Sequence, residues 1–437
     1  MAASPTRAHG RLEETSENHL CCRRKAETPD SSSKPPRAPL TPSAPKTLLL
    51  TGATGLLGSY LVRDLLLDGR PLAVIVRRER KRSAAARVDA ILDHWEDVLG
   101  KPLARPVILD GDLTEPRCGL DDADRRWIAD HCDEVLHNAA SLTFRGADRD
   151  GEPWRTNVGG TANVLRLSND TGLRHFHHVS TAYVCGLRDG VIREDDLDVG
   201  QAFGNEYEQS KVEAEKLVRE AGFLDTVTVH RPSIIVGDSS TGWTSTYHGF
   251  FAGLRLGHTL LTRVTMGSTS GPALLRLLGV EPNDTKNFVP VDWVSAVIAH
   301  AVQTPAARGT TYHLTHPEPL SMDVVWGLVQ EAVETYSRAA SPDDPDLCDE
   351  EWFADNLRTQ LDIYQSYLRN DPTFDRSHTA AIAGHLPCPT LDRETLLRMA
   401  KFAIDCDFGR KQLAPRPVDR RPTPPLPSSP AFADTGR

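Results

Sequence analysis

A chain of 437 residues has room for two or three ordinary domains, and 39% hydrophobic with 25% charged residues is the mix of a globular protein with a sizeable core. A net charge of −10 argues against a general affinity for nucleic acid or anionic membrane surfaces, and no apolar run approaches the ~20 residues of a membrane span. The cysteines form no Cys-x-x-Cys pair, the N-terminus lacks an apolar signal core, and Glu13, Glu14 and Glu17 count against a transit peptide. These features read as reduced thiols in a cytoplasmic protein.

Residues 1–45 are polar and rich in Ser, Pro and charge, and are expected to be a disordered arm. The apolar run from Thr47 to Leu50 then reads as a buried strand, and Leu56 to Leu67 as a helix. Between them, Thr51 to Gly58 (TGATGLLG) has the form of a phosphate cradle. Gly52 would permit the tight turn, Gly55 would let backbone approach a pyrophosphate, and Gly58 would let the helix pack on its strand, with the diphosphate at the helix N-terminus. The spacing is Gly-x-x-Gly-x-x-Gly, and an ordinary strand-to-helix loop could carry the same residues.

Further strands are expected at Ala73–Val76, Pro106–Leu109, Glu134–Leu136, His175–Val179 and Val227–Ile235, with helices at Ala86–Leu99 and Asn157–Ser168. Such alternation means βαβ units and an α/β fold, a Rossmann-type doubly wound parallel sheet, here assigned to residues 46–320. Gly- and aromatic-rich sequence after Ile235 marks a substrate-covering insertion at about 238–286, before returns to the sheet at Asn287–Val291 and Thr311–Thr315. Helical patterns at Ser321–Ala339, Glu350–Arg369 and Leu391–Phe408, separated by the acidic loop Ser341–Asp346 and a turn near Asn370, suggest a helical C-terminal domain over 321–412. A Pro-rich tail, 413–437, is expected to be disordered.

Arg77 follows the strand Ala73–Val76, where a Rossmann fold meets the adenosine ribose. An acid there suits the 2′-hydroxyl of NAD, whereas Arg77 and Arg78 suit a 2′-phosphate and hence NADPH; a solvated basic face is the plainer reading. Tyr207 and Lys211 begin a helix running to Glu220, and their i,i+4 spacing puts both on one face. A fixed ammonium about one turn away would favour the phenolate and lower the tyrosine pKa from about 10. Surface pairing would give the same spacing. The histidines His175, His177 and His178 match no metal-ligand spacing, and no metal is implied.

Taken in order, the glycine loop, His137 to Ala140 (HNAA), His178 to Val184 (HVSTAYV), Tyr207 to Lys211 (YEQSK) and Arg231 to Ile235 (RPSII) resemble the extended short-chain dehydrogenase/reductases of the NAD-dependent epimerase/dehydratase superfamily. Gly242-Trp243, Pro290 to Asp292 and, more weakly, Asp371 to Arg376 (DPTFDR) make the fatty acyl reductase and thioester reductase branch the most similar. The resemblance implies catalytic roles for Thr181, Tyr207 and Lys211. For cofactor binding it implies Gly52, Thr54, Gly55, Leu56, Leu57, Gly58, Arg77, Arg78, Asp112, Leu113, Asn138, Ala139, Ala140, Tyr207, Lys211, Pro232 and Ile234. Asn157 and Asp292 would be structural.

Family membership implies NADPH-dependent reduction of an acyl thioester, carried by coenzyme A or a carrier protein, to aldehyde or alcohol, in a chain compatible with a homodimer. A nucleotide-sugar epimerase or dehydratase would share the Tyr/Lys pair, but it would favour an acid in place of Arg77. A non-catalytic dinucleotide-binding protein would not need Thr181, Tyr207 and Lys211 together. Aromatic and aliphatic residues from Trp243 to Leu261 predict an apolar channel, although plain domain core would also account for them.

Overall fold

Strand β1 (Thr47–Thr51) turns Leu48 and Leu50 to one face and Leu49 to the other, and all three are fully buried. Alternate side chains of a strand point to opposite faces, so a run this apolar needs helices on both sides. The computed structural model supplies them. It describes residues 46–144, 146, 148–263, 281–337 and 369–411. The predicted arm and tail, the acidic loop Ser341–Asp346, the predicted helix at 350–368 and the 264–280 part of the insertion lie outside those residues.

After β1 come α1 (Leu56–Leu67), β2 (Leu72–Val76), α2 (Ala84–Leu99), β3 (Val107–Asp110), α3 (Asp122–His131), β4 (Cys132–His137), α4 (Thr161–Thr171) and β5 (His175–Val179). The chain continues through the short β6 (Val191–Ile192), α5 (Glu206–Arg219), β7 (Thr226–Pro232), β8 (Ile234–Val236) and α6 (Phe250–Arg263). Beyond these lie β9 (Thr285–Lys286), β10 (Phe288–Pro290), the helix Val291–Gln303, β11 (Thr311–Leu314), β12 (Leu320–Ser321), the helix Met322–Tyr336, β13 (Thr373–Phe374), and the helices Ser377–Ala383 and Arg393–Asp405.

The main sheet has the order β11-β7-β5-β4-β1-β2-β3 and is parallel throughout. Leu48, Leu50, Val74 and Val76 pack beneath α1, α2 and the helix Val291–Gln303. Leu49, Ala73 and Ile75 pack on the opposite face with residues of α3, α4 and α5. The strand order reverses between β1 and β4, so the loops leaving their carboxyl ends diverge and open the crevice where such sheets bind ligands. A separate core joins Phe250, Phe251 and Leu254 of α6 to Val325, Leu328 and Val329 of Met322–Tyr336 and to Leu396, Met399 and Ala400 of Arg393–Asp405.

Several predicted elements change at their ends. The strand expected over Val227–Ile235 divides at Ser233, whose hydroxyl donates to Asn287 Oδ1 at 2.7 Å, and the chain then leaves the main sheet so that β8 pairs with β10. The helix expected over Asn157–Ser168 opens as a π turn at Arg155–Gly160 before becoming α4, with the Thr161 hydroxyl donating back to the Asn157 carbonyl at 2.5 Å. The last helix starts at Arg393 because Asp392 caps it, accepting from Thr395 N at 2.9 Å, and it ends before Asp407 and Phe408, both at φ 49°.

Candidate active site

The loop after β1 is fixed by backbone contacts that leave no room for side chains at two of its glycines. Gly52 adopts φ +71°, and a Cβ there would sit 2.6 Å from Ala139 N at the end of β4. A Cβ on Gly58 would lie 1.9 Å from the Gly52 carbonyl oxygen, so α1 can pack this close to the turn only without one. Gly55 differs: a Cβ there would meet only Gly52 O, at 3.6 Å, and the residue borders open cavity. Thr51 ties the two strand ends together, since its hydroxyl bonds His137 Nδ1 at 2.8 Å and accepts from Ala139 N at 3.2 Å, while Asn138 Nδ2 donates to Gly52 O at 3.2 Å.

From this loop a cavity of about 920 Å³ runs past the ends of β2 and β3 in one direction and past β5 and α5 to α6 in the other. Every site residue singled out from the sequence borders it except Arg78. Arg78 is 75% exposed and turns away to pair with Asp110, its Nε 3.0 Å from Oδ2. Arg77 remains on the cavity, 60% exposed and 3.6 Å from Asp112. Burial pulls the Asp112 carboxyl upward, but hydrogen bonds from Thr114 and the Arg77 charge outweigh it and hold the group below its ordinary value.

The second arginine at this end is Arg87, which sequence reasoning missed. It is only 17% exposed, and it donates to Thr54 Oγ1 at 2.8 Å and to the Arg77 carbonyl at 2.6 Å, tying the glycine loop to the end of β2. It had a signal. Ser83 caps α2 by accepting from Ala86 N, which puts Arg87 in the first helical turn, where the macrodipole disfavours a cation.

At the centre, α5 is fixed by reciprocal capping: Asn205 Oδ1 accepts from Glu208 N at 2.9 Å, and Glu208 accepts from Gly204 N at 2.9 Å. This start sets Tyr207 and Lys211 against the ends of β5 and β7. The Lys211 ammonium donates to the Val179 carbonyl at 2.8 Å, and burial lowers its pKa to about 8 although Glu215 pulls the other way. Thr181, which follows β5, is a hydrogen-bonding neighbour of the Tyr207 phenol and itself donates to Pro232 O at 3.4 Å. The sequence argument expected a lowered tyrosine pKa. Burial instead raises it, with the Glu208 charge adding to the effect and only the Thr181 hydrogen bond opposing. Asn157 braces the centre: its Oδ1 accepts from Ser141 N at 2.7 Å and its Nδ2 donates to Ser210 Oγ of α5 at 2.9 Å.

Beneath α5, the wholly buried Arg231 of β7 holds Glu215 through two bonds, of 2.7 and 3.1 Å, and reaches the Asp196 carbonyl at 2.7 Å. Burial alone would raise the Glu215 carboxyl, but Arg231 reverses that and holds it at about 2. Within β5, burial drives His177 below and His178 well below the ordinary value, and Lys211 adds to the effect on His178.

The remaining wall is mostly apolar, formed by Phe250 and Leu256 of α6, Phe288, and Val325, Trp326 and Val329 of the helix Met322–Tyr336. Among the polar residues set into it that the sequence reading did not single out are Tyr183 and Lys286. Lys286 belongs to a two-residue strand, and its partner Asp371 lies 85 residues further on, so no local pattern could have marked it.

A glycine loop at a topological switch point, leading to a Thr/Tyr/Lys cluster, defines a Rossmann-type member of the extended short-chain dehydrogenase/reductase superfamily. Residues 50–298 match the NAD-binding family described as male sterility protein, and the chain belongs to that family. It is 29% identical over 308 residues to the nonribosomal peptide synthetase asaC of Aspergillus flavus, covering 65% of this chain and 28% of that protein. It is also 29% identical over 297 residues to the L-2-aminoadipate reductase large subunit of Penicillium chrysogenum, covering 62% of this chain and 19% of that one. The chain thus spans less than a third of either relative. Among solved structures, the terminal R domain from the myxalamid PKS-NRPS pathway superposes with a TM-score of 0.65 at 25% identity, covering 84% of this chain and 92% of that domain.

Proposed function

We propose that this chain is an NADPH-dependent reductase of acyl thioesters, releasing an aldehyde or, after a second round, an alcohol. The carrying observation is that one cavity joins the glycine loop to Thr181, Tyr207 and Lys211 and continues between α6 and the helix Met322–Tyr336 along an apolar wall. The relatives, a nonribosomal peptide synthetase and an aminoadipate reductase, support the same reading.

The residues fit the cofactor. Packing requires glycine at Gly52 and Gly58 but not at Gly55, which suits a pyrophosphate lying on backbone there. Arg77 and Arg87 would hold the 2′-phosphate, and Asp112 with Leu113 would border the adenine. When bound, NADPH supplies the hydride. The protein's share is positional and acid–base: the Thr181 and Tyr207 hydroxyls hold the carbonyl oxygen and stabilise the charge that develops on it. Tyr207, a phenol protonated at neutral pH and held further in that form by burial, delivers its proton to that oxygen. The resulting hemithioacetal then separates into aldehyde and thiol. Lys211, 2% exposed and held by Val179 O, keeps a positive charge beside the nicotinamide ribose site.

The deciding measurement is NADPH oxidation with simultaneous thiol release, taken across acyl thioesters of increasing length and across nucleotide sugars. Each methylene buried against the apolar wall contributes about 0.8 kcal/mol, so efficiency should rise several-fold per carbon until the channel is full. Turnover of a nucleotide sugar without thiol release from any thioester would reject this reading in favour of an epimerase or dehydratase.

A further inference from the structure

Lys286 borders the same cavity as Thr181 and Tyr207, yet its side chain is only 5% exposed. Among the described residues its Nζ has one hydrogen-bond partner, Asp371 Oδ1 at 2.7 Å. The other carboxylate oxygen is committed elsewhere, accepting from the Tyr183 hydroxyl at 2.7 Å and from Asn287 N at 2.8 Å. An ammonium has three N–H donors. Two are therefore left without a protein acceptor among the described residues, on a side chain at the cavity wall. Burying a charged donor in this state is unfavourable unless a ligand completes it. A methionine would fill the space beside Phe288 without that cost.

We propose that Lys286, clamped by Asp371, is a substrate-positioning residue that donates hydrogen bonds to an amide carbonyl in the thiol arm of a pantetheine thioester. This rests on the acyl thioester reading above. The thioester carbonyl is met by Thr181 and Tyr207, and an alkyl acyl chain has no acceptor to offer an ammonium. The pantetheine arm, common to coenzyme A and carrier proteins, carries amide carbonyls near the sulfur. Lys211, whose ammonium also donates to Val179 O, is assigned to the nicotinamide ribose in the reading above and so leaves the thiol arm to Lys286. No proton changes hands at Lys286: it binds and orients.

The test uses the full chain with NADPH and one acyl group presented as its pantetheine thioester, its coenzyme A thioester and its S-ethyl thioester, which has no amide. The unmodified protein should prefer both pantetheine-bearing substrates in kcat/KM by roughly 10- to 100-fold, as expected of a site built around a hydrogen-bond acceptor. Lys286→Met should remove that preference mainly through KM, changing kcat/KM for the S-ethyl ester by less than about threefold. Because the single variant strands a buried carboxylate, Lys286→Met with Asp371→Asn is the neutral companion, and it should lose the preference in the same way. Equal losses on all substrates would mean a purely structural pair and overturn the inference, as would a preference that follows an amide placed in the acyl group. Absence of thiol release from every thioester by the unmodified protein would overturn the reductase reading and the inference together.

Discussion

At one end the cavity is bounded by the segments that follow β1, β2, β3 and β4, and its shape depends on missing side chains at Gly52 and Gly58. At the other end the wall is side chains drawn from remote segments: Phe250, Lys286 and Val325 all border it, and Asp371 stands behind Lys286. The first end is a local consequence of a strand–loop–helix sequence, and any chain with that pattern builds much the same cradle. The second depends on how the segments after β8 pack on one another, so it can vary while the cradle stays fixed. This division suits a fold in which one cofactor serves many substrates.

The junction between the ends should be the most sensitive point. Tyr207→Phe deletes the proton donor while keeping the ring that meets Phe144 edge-on at 5.7 Å, and it should lower turnover by about 10²- to 10⁴-fold with cofactor affinity nearly unchanged. Single-turnover rates and cofactor titration check this, and unchanged turnover would remove Tyr207 from the chemistry.

Lys211→Met should separate stability from activity. The buried ammonium has a pKa of about 8 in the folded chain against an ordinary 10.5. The unfolded chain therefore binds the extra proton up to a higher pH, and the destabilisation is full below pH 8, shrinks through the interval and is gone above 10.5. The ligand-free variant should be more stable than the parent at pH 7 by on the order of 3 kcal/mol, and the gap should close as pH rises. Its turnover should collapse. Denaturant midpoints at pH 7 and 10 provide the measurement.

Two glycine substitutions test the glycine-loop end directly. Gly58→Ala drives a Cβ into the Gly52 carbonyl and should cost roughly 1–3 kcal/mol of stability together with cofactor affinity. Gly55→Ala has space in the protein and should leave melting nearly unchanged while weakening the cofactor. Matching behaviour of the two variants would erase the distinction between a packing glycine and a ligand-facing one.

The smallest expected effect is at the ribose end. Arg87→Ala removes one of the two cations assigned to the 2′-phosphate and should reduce the preference for NADPH over NADH by about tenfold, with Arg77→Asp having a larger effect of the same sign. Dissociation constants for both cofactors decide it, and equal affinities in the unmodified protein would refute the phosphate assignment.

The sequence by itself was enough for the α/β fold, because Leu48, Leu49 and Leu50 in succession demand cover on both faces of a strand, and such cover means parallel βαβ units. The form of the cradle and the shared face of Tyr207 and Lys211 were also legible, since the geometry of one loop and of one helical turn is fixed by spacing, whereas Thr181 entered only through the family resemblance. The sequence reading misjudged the electrostatics of Tyr207 and the direction of Arg78. Both depend on surroundings that spacing does not contain: the burial of the phenol, and the Asp110 carboxylate beside Arg78. Lys286 was decided by tertiary structure alone, by a carboxylate 85 residues away, whereas Arg87 stands at a helix start that the sequence marks and gained its place only when that start folded back onto the glycine loop. Local backbone geometry follows from short-range sterics and periodicity, whereas a side chain's charge state and partners follow from whatever segments the fold brings against it.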